Sequence, residues 1–245
     1  MKKISVIIPC YNSVKWLPKC FMSLVEQSIG IDNLELIFVN DASTDDGQTW
    51  DMLKEMEKAY PESIIIIDLP YNRRQGGARN EGLKYASGEY IAFVDSDDWI
   101  EEGLYEKAYL KAKEKDADIV QFNYNYYFDN VGIVCNKNEM KDEYIEIKCA
   151  DDRKNMLIME KFTYGCWNKL YKRSMVINAN TAFAENVIYE DLDFLINIAL
   201  KINNTANVKE ILYIYKNNDN SASHNNREQI KFNDMLAVYK AIDRL

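Results

Sequence analysis

Two aspartates separated by one residue give the clearest chemical signal in the sequence. Asp95, Ser96 and Asp97 follow directly after the apolar run at residues 90–94. Alternate carboxylates can address different parts of one ligand, and Mg²⁺ and Mn²⁺ prefer oxygen ligands, often shared with substrate phosphates. The spacing therefore predicts a divalent metal site. The alternative is that these aspartates only cap the helix that follows them.

Polar residues also follow two earlier apolar runs. The first run is followed by Pro9, Tyr11 and Asn12, and the second by Asp41 and Ser43. Ligands of parallel α/β sheets bind beyond the carboxyl ends of the strands, where loops from several strands meet. We therefore expect these residues to face the same crevice as Asp95–Asp97.

A pair of glycines precedes a cation at residues 76–79, in the order Gly76, Gly77, Ala78 and Arg79. Small residues at a helix start let an anion approach backbone N–H groups, and an arginine can bind it. Close packing of the helix on the sheet explains the glycines equally well. Both interpretations stay open at this point.

The order of elements predicts an α/β fold. Four nearly continuous apolar runs, at residues 4–8, 36–39, 64–67 and 90–94, are typical of parallel strands covered on both faces. Segments with helical spacing separate them, which indicates a mostly parallel central sheet flanked by helices. A helix at 102–115 and a strand at 119–122 follow. Residues 124–147 are irregular, and the remainder predicts helices at 152–159 and 190–202, a strand at 212–215 and a terminal helix.

Composition excludes some classes of protein. The 245 residues carry a formal net charge of −9, which argues against a nucleic-acid-binding protein with a basic surface. Five cysteines without a CxxC pair indicate reduced core thiols in a cytoplasmic protein. No apolar stretch is long enough to span a bilayer, so we expect a soluble protein or one in peripheral contact with a membrane. The terminal helical pattern runs to the last residues, which favours a truncated chain, and nothing indicates an oligomeric state.

Missing motifs narrow the choice further. The sequence has no GxxxxGK[ST] loop and no GxGxxG after the first strand, so nucleoside-triphosphatase and dinucleotide-binding functions lose their main support. A haloacid-dehalogenase-like phosphatase would also place DxD after a strand. A non-catalytic module that binds nucleotide sugars or glycans is the second alternative.

Taken together, the motifs resemble the family 2 glycosyltransferases with the GT-A fold. The matching strings are SVIIPCYN at 5–12, VNDASTDDG at 39–47, NRRQGGARNEGLKYASGEYIAFVDSDDW at 72–99 and YEDLDF at 189–194. WNKLYKRS at 167–174 is similar to the bacterial capsule and exopolysaccharide enzymes of that family. The resemblance implies one continuous domain, with a nucleotide-binding half at 1–99 and a smaller acceptor-binding region at 100–245.

The resemblance also implies roles for individual residues. The loop from Pro9 to Asn12 would hold the base and ribose together with Asp41, and Ser43 and Ser96 belong to the same donor-binding set. Arg79 would place the base or diphosphate, and Asp95 would lie against the ribose. Asp97 would bind Mn²⁺ or Mg²⁺.

The implied reaction moves a sugar from a nucleotide-sugar donor, with UDP favoured, to a hydroxyl of a glycan or lipid-linked saccharide. Asp191 would be the general base, and a single base favours inversion of the anomeric centre. Because Asp191 opens a predicted helix, we expect the helix dipole to favour its charged form. Glu190 is a candidate supporting residue, and the lone histidine, His224, is a candidate lid residue.

Overall fold

A computed structural model describes residues 1–137, 139–185 and 190–217. Its first part alternates strands and helices as the sequence predicts. The strands are β1 (Ile4–Cys10), β2 (Leu34–Asn40), β3 (Ile64–Asp68) and β4 (Tyr90–Phe93); the helices are α1 (Leu17–Val25), α2 (Gln48–Ala59) and α3 (Arg74–Tyr85).

The four strands pair in parallel in the order β3-β2-β1-β4. Both faces of β1 and β2 are buried, which explains their continuous apolar sequence. Helix α3 lies close to the sheet at Gly82, where an added Cβ would come within 2.5 Å of Ile7 Cγ2. Any larger residue would push the helix away from the strand.

The second part adds β5 (Trp99–Ile100), α4 (Leu104–Lys115), β6 (Ile119–Phe128), β7 (Gly132–Val134), β8 (Tyr144–Glu146), α5 (Ala150–Ile158), β9 (Lys169–Lys172), α6 (Arg173–Ala179), α7 (Glu190–Ala199) and β10 (Asn204–Lys216). The sheet continues from β4 in the order β9-β6-β10-β5. Strand β9 is antiparallel to both β4 and β6, so the parallel half continues into a mixed half. The two halves of the chain therefore share one sheet.

Two strands are longer than the sequence predicts. Strand β6 continues to Phe128, and β10 begins at Asn204 rather than near residue 212. The pairing of β10 with β6 shifts register between Val208 and Ile211, where the charged residues Lys209 and Glu210 interrupt the apolar pattern. That irregularity explains why the sequence predicts only the later part of β10, at 212–215, as a strand.

The cysteines correct another expectation. All five are free, and Cys10, Cys20 and Cys166 are buried, but Cys135 and Cys149 are exposed rather than in the core. Among the described helices, none is long and apolar enough to cross a membrane. His224 and the predicted terminal helix lie outside the described residues.

Candidate active site

A cleft of about 670 Å³ opens at the carboxyl ends of β1, β2 and β4. Seven of the residues predicted from sequence line it, namely Pro9, Tyr11, Asn12, Asp41, Ser96, Asp97 and Glu190. The expectation that three strand-end loops share one crevice is therefore confirmed by the geometry. Ser43, Arg79, Asp95 and Asp191 are not among the lining residues.

The loops after β1 and β2 hold each other in place. Asn12, whose φ is 51°, donates its backbone N–H to Ser43 Oγ at 3.0 Å and accepts the N–H of Thr44 at 2.8 Å. The Ser43 hydroxyl in turn donates to Asn40 Oδ1 at 2.6 Å. Ser43 therefore fixes the loop, whereas the half-exposed ring of Tyr11 is presented on the cleft wall.

Asp41 lies on the same wall and is almost fully buried. Its carboxylate accepts the backbone N–H of Arg73 at 2.7 Å. Burial raises the pKa of Asp41, and the backbone hydrogen bonds oppose that rise. This carboxylate is preset as a hydrogen-bond acceptor at the edge of the cleft.

The aspartates after β4 have three different environments. Asp95 accepts a hydrogen bond from Arg79 Nη2 at 2.6 Å and is not among the residues that line the cleft. Asp98 is buried and accepts from the Tyr213 hydroxyl at 2.6 Å and the Lys216 N–H at 2.7 Å; burial and the nearby carboxylates raise its pKa. Asp97 alone of this group lines the cleft. Geometry thus separates one candidate metal ligand from two aspartates that hold the structure.

Arg79 has a different position from the one that the resemblance implied. Only 2% of the residue is exposed, and its guanidinium donates to Asp95 and, at 2.5 Å, to Glu190 Oε1. Burial alone would lower the pKa of Arg79, but the surrounding anionic groups raise it. Because both partners are carboxylates of the protein, Arg79 positions the wall of the cleft instead of reaching a donor directly.

A neighbouring arginine, which was not among the predicted site residues, does face the cleft. Arg74 is exposed, and it is the only positively charged residue among those described that line the cleft. Its φ is 57°, a left-handed conformation that is unfavourable for a residue with a Cβ. Of the two interpretations of the glycine pair, the structure supports close packing at Gly76. A Cβ on Gly76 would come within 2.2 Å of the carbonyl oxygen of Ala184.

The first turn of α7 carries the candidate base. Glu190 lines the cleft and Asp191 follows it, accepting the Cys166 N–H at 3.4 Å. Burial, together with repulsion from Glu190, raises the pKa of Asp191 to about 6. The predicted direction was wrong, because desolvation outweighs the helix dipole here. A pKa of about 6 still leaves most of this carboxylate ionised at pH 7.

A buried lysine supports the loop that contacts Asp191. Lys169 Nζ donates to the carbonyl oxygens of Thr163 at 2.7 Å and Gly165 at 2.6 Å. Burial lowers the pKa of Lys169 to about 7. These bonds fix the loop at 163–168, and with it the backbone N–H that reaches Asp191.

The described residues contain no group of three or more His, Cys, Asp or Glu side chains arranged to hold a metal ion. A cage made only of protein ligands is therefore absent from this part of the chain. The carboxylate of Asp97 alone can still be a ligand of Mg²⁺ or Mn²⁺. Such ions commonly bind through one or two carboxylates, substrate phosphates and water.

Comparison with known proteins places this geometry in a family. The family model described as glycosyl transferase family 2 matches residues 5–178. The chain belongs to this family, in agreement with the motifs. The match excludes the phosphatase alternative, whose reaction would also need Asp95 and Asp97 together, whereas Asp95 is paired with Arg79.

Individual relatives agree with this assignment. The glycosyltransferase GlyA of Streptococcus pneumoniae is 35% identical over 176 residues, covering 69% of this chain and 24% of that protein. The structure of S. aureus TarS 1-349 in complex with UDP-GlcNAc has a TM-score of 0.75 at 24% identity, covering 89% of this chain and 60% of that one. The mannosyltransferase PcManGT from Pyrobaculum calidifontis, in complex with GDP-Man and Mn²⁺, has a TM-score of 0.67 at 16% identity, covering 99% and 64%.

These structural matches confirm the fold: an α/β protein of the GT-A type with helices around a central sheet. The chain spans about a quarter of GlyA and about three fifths of the TarS fragment.

Proposed function

We propose that the protein transfers a sugar from a UDP-sugar to a hydroxyl of a glycan or lipid-linked saccharide, with inversion at the anomeric carbon. The observation that carries this proposal is the placement of Asp97 and Glu190 in one cleft, with Asp191 next to Glu190 in the same helical turn. The TarS complex with UDP-GlcNAc and the PcManGT complex with GDP-Man support a nucleotide-sugar donor.

The donor's nucleoside would lie on the wall made by the first two strand-end loops. The exposed face of Tyr11 can stack on the base, and the carboxylate of Asp41 can accept a hydrogen bond from it. The diphosphate would lie between Arg74 and Asp97. Arg74 can bind phosphate oxygens through a charge-assisted hydrogen bond.

Asp97 would hold Mn²⁺ or Mg²⁺ together with the donor's phosphate oxygens. When bound, such an ion supplies positive charge that stabilises the departing diphosphate. The cleft contains the carboxylates of Asp41, Asp97 and Glu190, which would repel an anionic donor. A bound divalent cation would offset this repulsion. PcManGT, the relative in complex with Mn²⁺, supports this choice of ion.

Asp191 would accept the proton of the acceptor hydroxyl while the acceptor oxygen bonds to the anomeric carbon. The bond from that carbon to the diphosphate oxygen breaks on the opposite side, and the diphosphate leaves with the electron pair. A single displacement of this kind inverts the configuration. The raised pKa of Asp191 favours the proposed role, because a base near the working pH is the most effective proton acceptor.

A thermal-shift panel of UDP- and GDP-sugars, with and without Mn²⁺, tests the proposal. A ligand that binds only the folded state raises the melting temperature. We expect a UDP-sugar to raise the Tm of the wild type only with Mn²⁺, and Asp97→Asn to lose the increase. Asp46→Asn, which alters an exposed aspartate outside the cleft, should behave like the wild type. A Tm increase of equal size in Asp97→Asn would overturn the metal assignment.

A further inference from the structure

A second cavity, of about 390 Å³, lies beside the loop that contacts Asp191. It shares no lining residue with the donor cleft. Its walls come from the middle of β6, from the segment after β7 and from the loop between α5 and β9. The proposed function leaves this cavity without a role.

The lining of the second cavity is aromatic and mostly uncharged. Four aromatic side chains, Tyr124, Phe162, Tyr164 and Trp167, contribute to it together with three asparagines. Glu160 is the only charged residue among the described residues that line it, and no lysine or arginine is present. Aromatic faces with nearby polar groups suit an uncharged polar ligand with apolar C–H faces, whereas a phosphate would need a cation.

The walls are held in place before any ligand arrives. The Asn123 amide donates to the carbonyl oxygens of Met140 at 2.8 Å and Lys209 at 2.7 Å. The Trp167 ring stacks on Tyr213 and Tyr215, with centroid distances of 4.7 and 5.0 Å. A preformed site loses little conformational entropy on binding. These contacts therefore favour a binding cavity over a gap that closes in solution.

The second cavity is linked to the proposed base through one loop. Gly165 and Trp167 line the cavity, and Cys166 between them donates its N–H to Asp191. Lys169 holds the same loop from inside through Thr163 and Gly165. A ligand in the cavity would therefore contact the loop whose backbone holds Asp191, the proposed acceptor of the proton.

From these observations we infer that the second cavity is a subsite for the acceptor and that it takes an uncharged saccharide residue. The inference rests on the proposed function. A sugar ring would lie against Tyr164, whose side chain is exposed, next to the loop that contacts Asp191. Because the described residues that line the cavity include no lysine or arginine, we expect any phosphate of a lipid-linked acceptor to lie outside it.

Saturation-transfer NMR on the full chain tests the inference with N-acetylglucosamine, glucose, galactose and N,N′-diacetylchitobiose as probes. UDP and Mn²⁺ are added first, so that the donor cleft is filled. Tyr164→Ala removes one aromatic wall from a side chain that is 42% exposed, and Tyr144→Ala is the matched control, since Tyr144 is 41% exposed and lies outside the cavity. Trp167→Phe serves as a second variant.

We expect at least one probe to bind alongside UDP in the wild type and Tyr144→Ala, and to bind about tenfold more weakly in Tyr164→Ala. The inference is overturned if no probe binds, if Tyr164→Ala binds as the wild type does, or if UDP displaces the saccharide. UDP binding, measured in the same samples, distinguishes failure of the proposed function from failure of the subsite. If UDP does not bind, the proposed function is contradicted. If UDP binds but the saccharide gives any of the three contrary results, only the subsite is overturned.

Discussion

Arg79 donates a hydrogen bond to Glu190, a residue 111 positions further along the chain. The same guanidinium binds Asp95, so one buried cation joins α3 to the loop after β4 and to the first turn of α7. One buried side chain therefore bridges the proposed nucleotide side of the site and the helix that carries the proposed base.

Replacing Arg79 with Met should destabilise the fold by about 3 to 5 kcal/mol, because it leaves Asp95 and Glu190 without their cation. Urea unfolding measures this change. Lys107→Met is the control, since Lys107 pairs with Glu210 at the surface and should cost about 1 kcal/mol or less. Similar losses in the two variants would show that the buried arginine has no special structural role.

Arg74→Gly should weaken UDP binding about tenfold or more and leave uridine binding unchanged, because the arginine is expected to bind the diphosphate. Calorimetry with both ligands separates the two contributions. The free energy of unfolding should stay the same or rise, since glycine adopts a φ of 57° without strain. An equal loss of affinity for UDP and uridine would contradict a phosphate-binding role.

The stability of Asp191→Asn should depend on pH in a defined direction. The folded-state pKa of Asp191 is raised from 3.8 to about 6, so its stabilising contribution is complete below pH 3.8 and is lost as the pH rises through about 6. The variant should therefore nearly match the wild type near pH 4 and exceed its free energy of unfolding by up to about 3 kcal/mol at pH 7. Urea unfolding across this range measures the difference, and a variant less stable than the wild type at pH 7 would refute a desolvated carboxylate.

Sequence patterns predicted the parallel half of the sheet and the loops at its carboxyl edge best, because burial on both faces determines the strand sequences there. The four parallel strands are apolar on both faces, and their polar ends necessarily meet at one edge of the sheet. Pro9, Asn12, Asp41 and Asp97 could therefore be assigned to one cleft before the structure was known. The family motifs supplied Asp191, which no periodicity would have selected.

Tertiary contacts decided the features that sequence could not. Arg79 looked like a ligand-binding cation, but its carboxylate partners come from distant segments and bury it. Arg74 lies inside the matching string at 72–99, but nothing in that string distinguishes it from Arg73 or Arg79, because a positive φ cannot be seen in sequence. The shifted pKa of Asp191 depends on burial against the loop at 163–168, which helix position alone does not reveal.

Turnover by Asp191→Asn tests the central claim most directly. The rate of UDP release is measured with acceptor present, using the UDP-sugar that gives the largest Tm increase, and donor affinity is measured on the same protein. Asp193→Asn is the matched control, because Asp193 is an exposed aspartate on the same helix. The account predicts a kcat at least ~100-fold lower for Asp191→Asn with donor affinity unchanged, and near-normal kcat for Asp193→Asn. An Asp191→Asn protein that turns over at the wild-type rate would contradict the account.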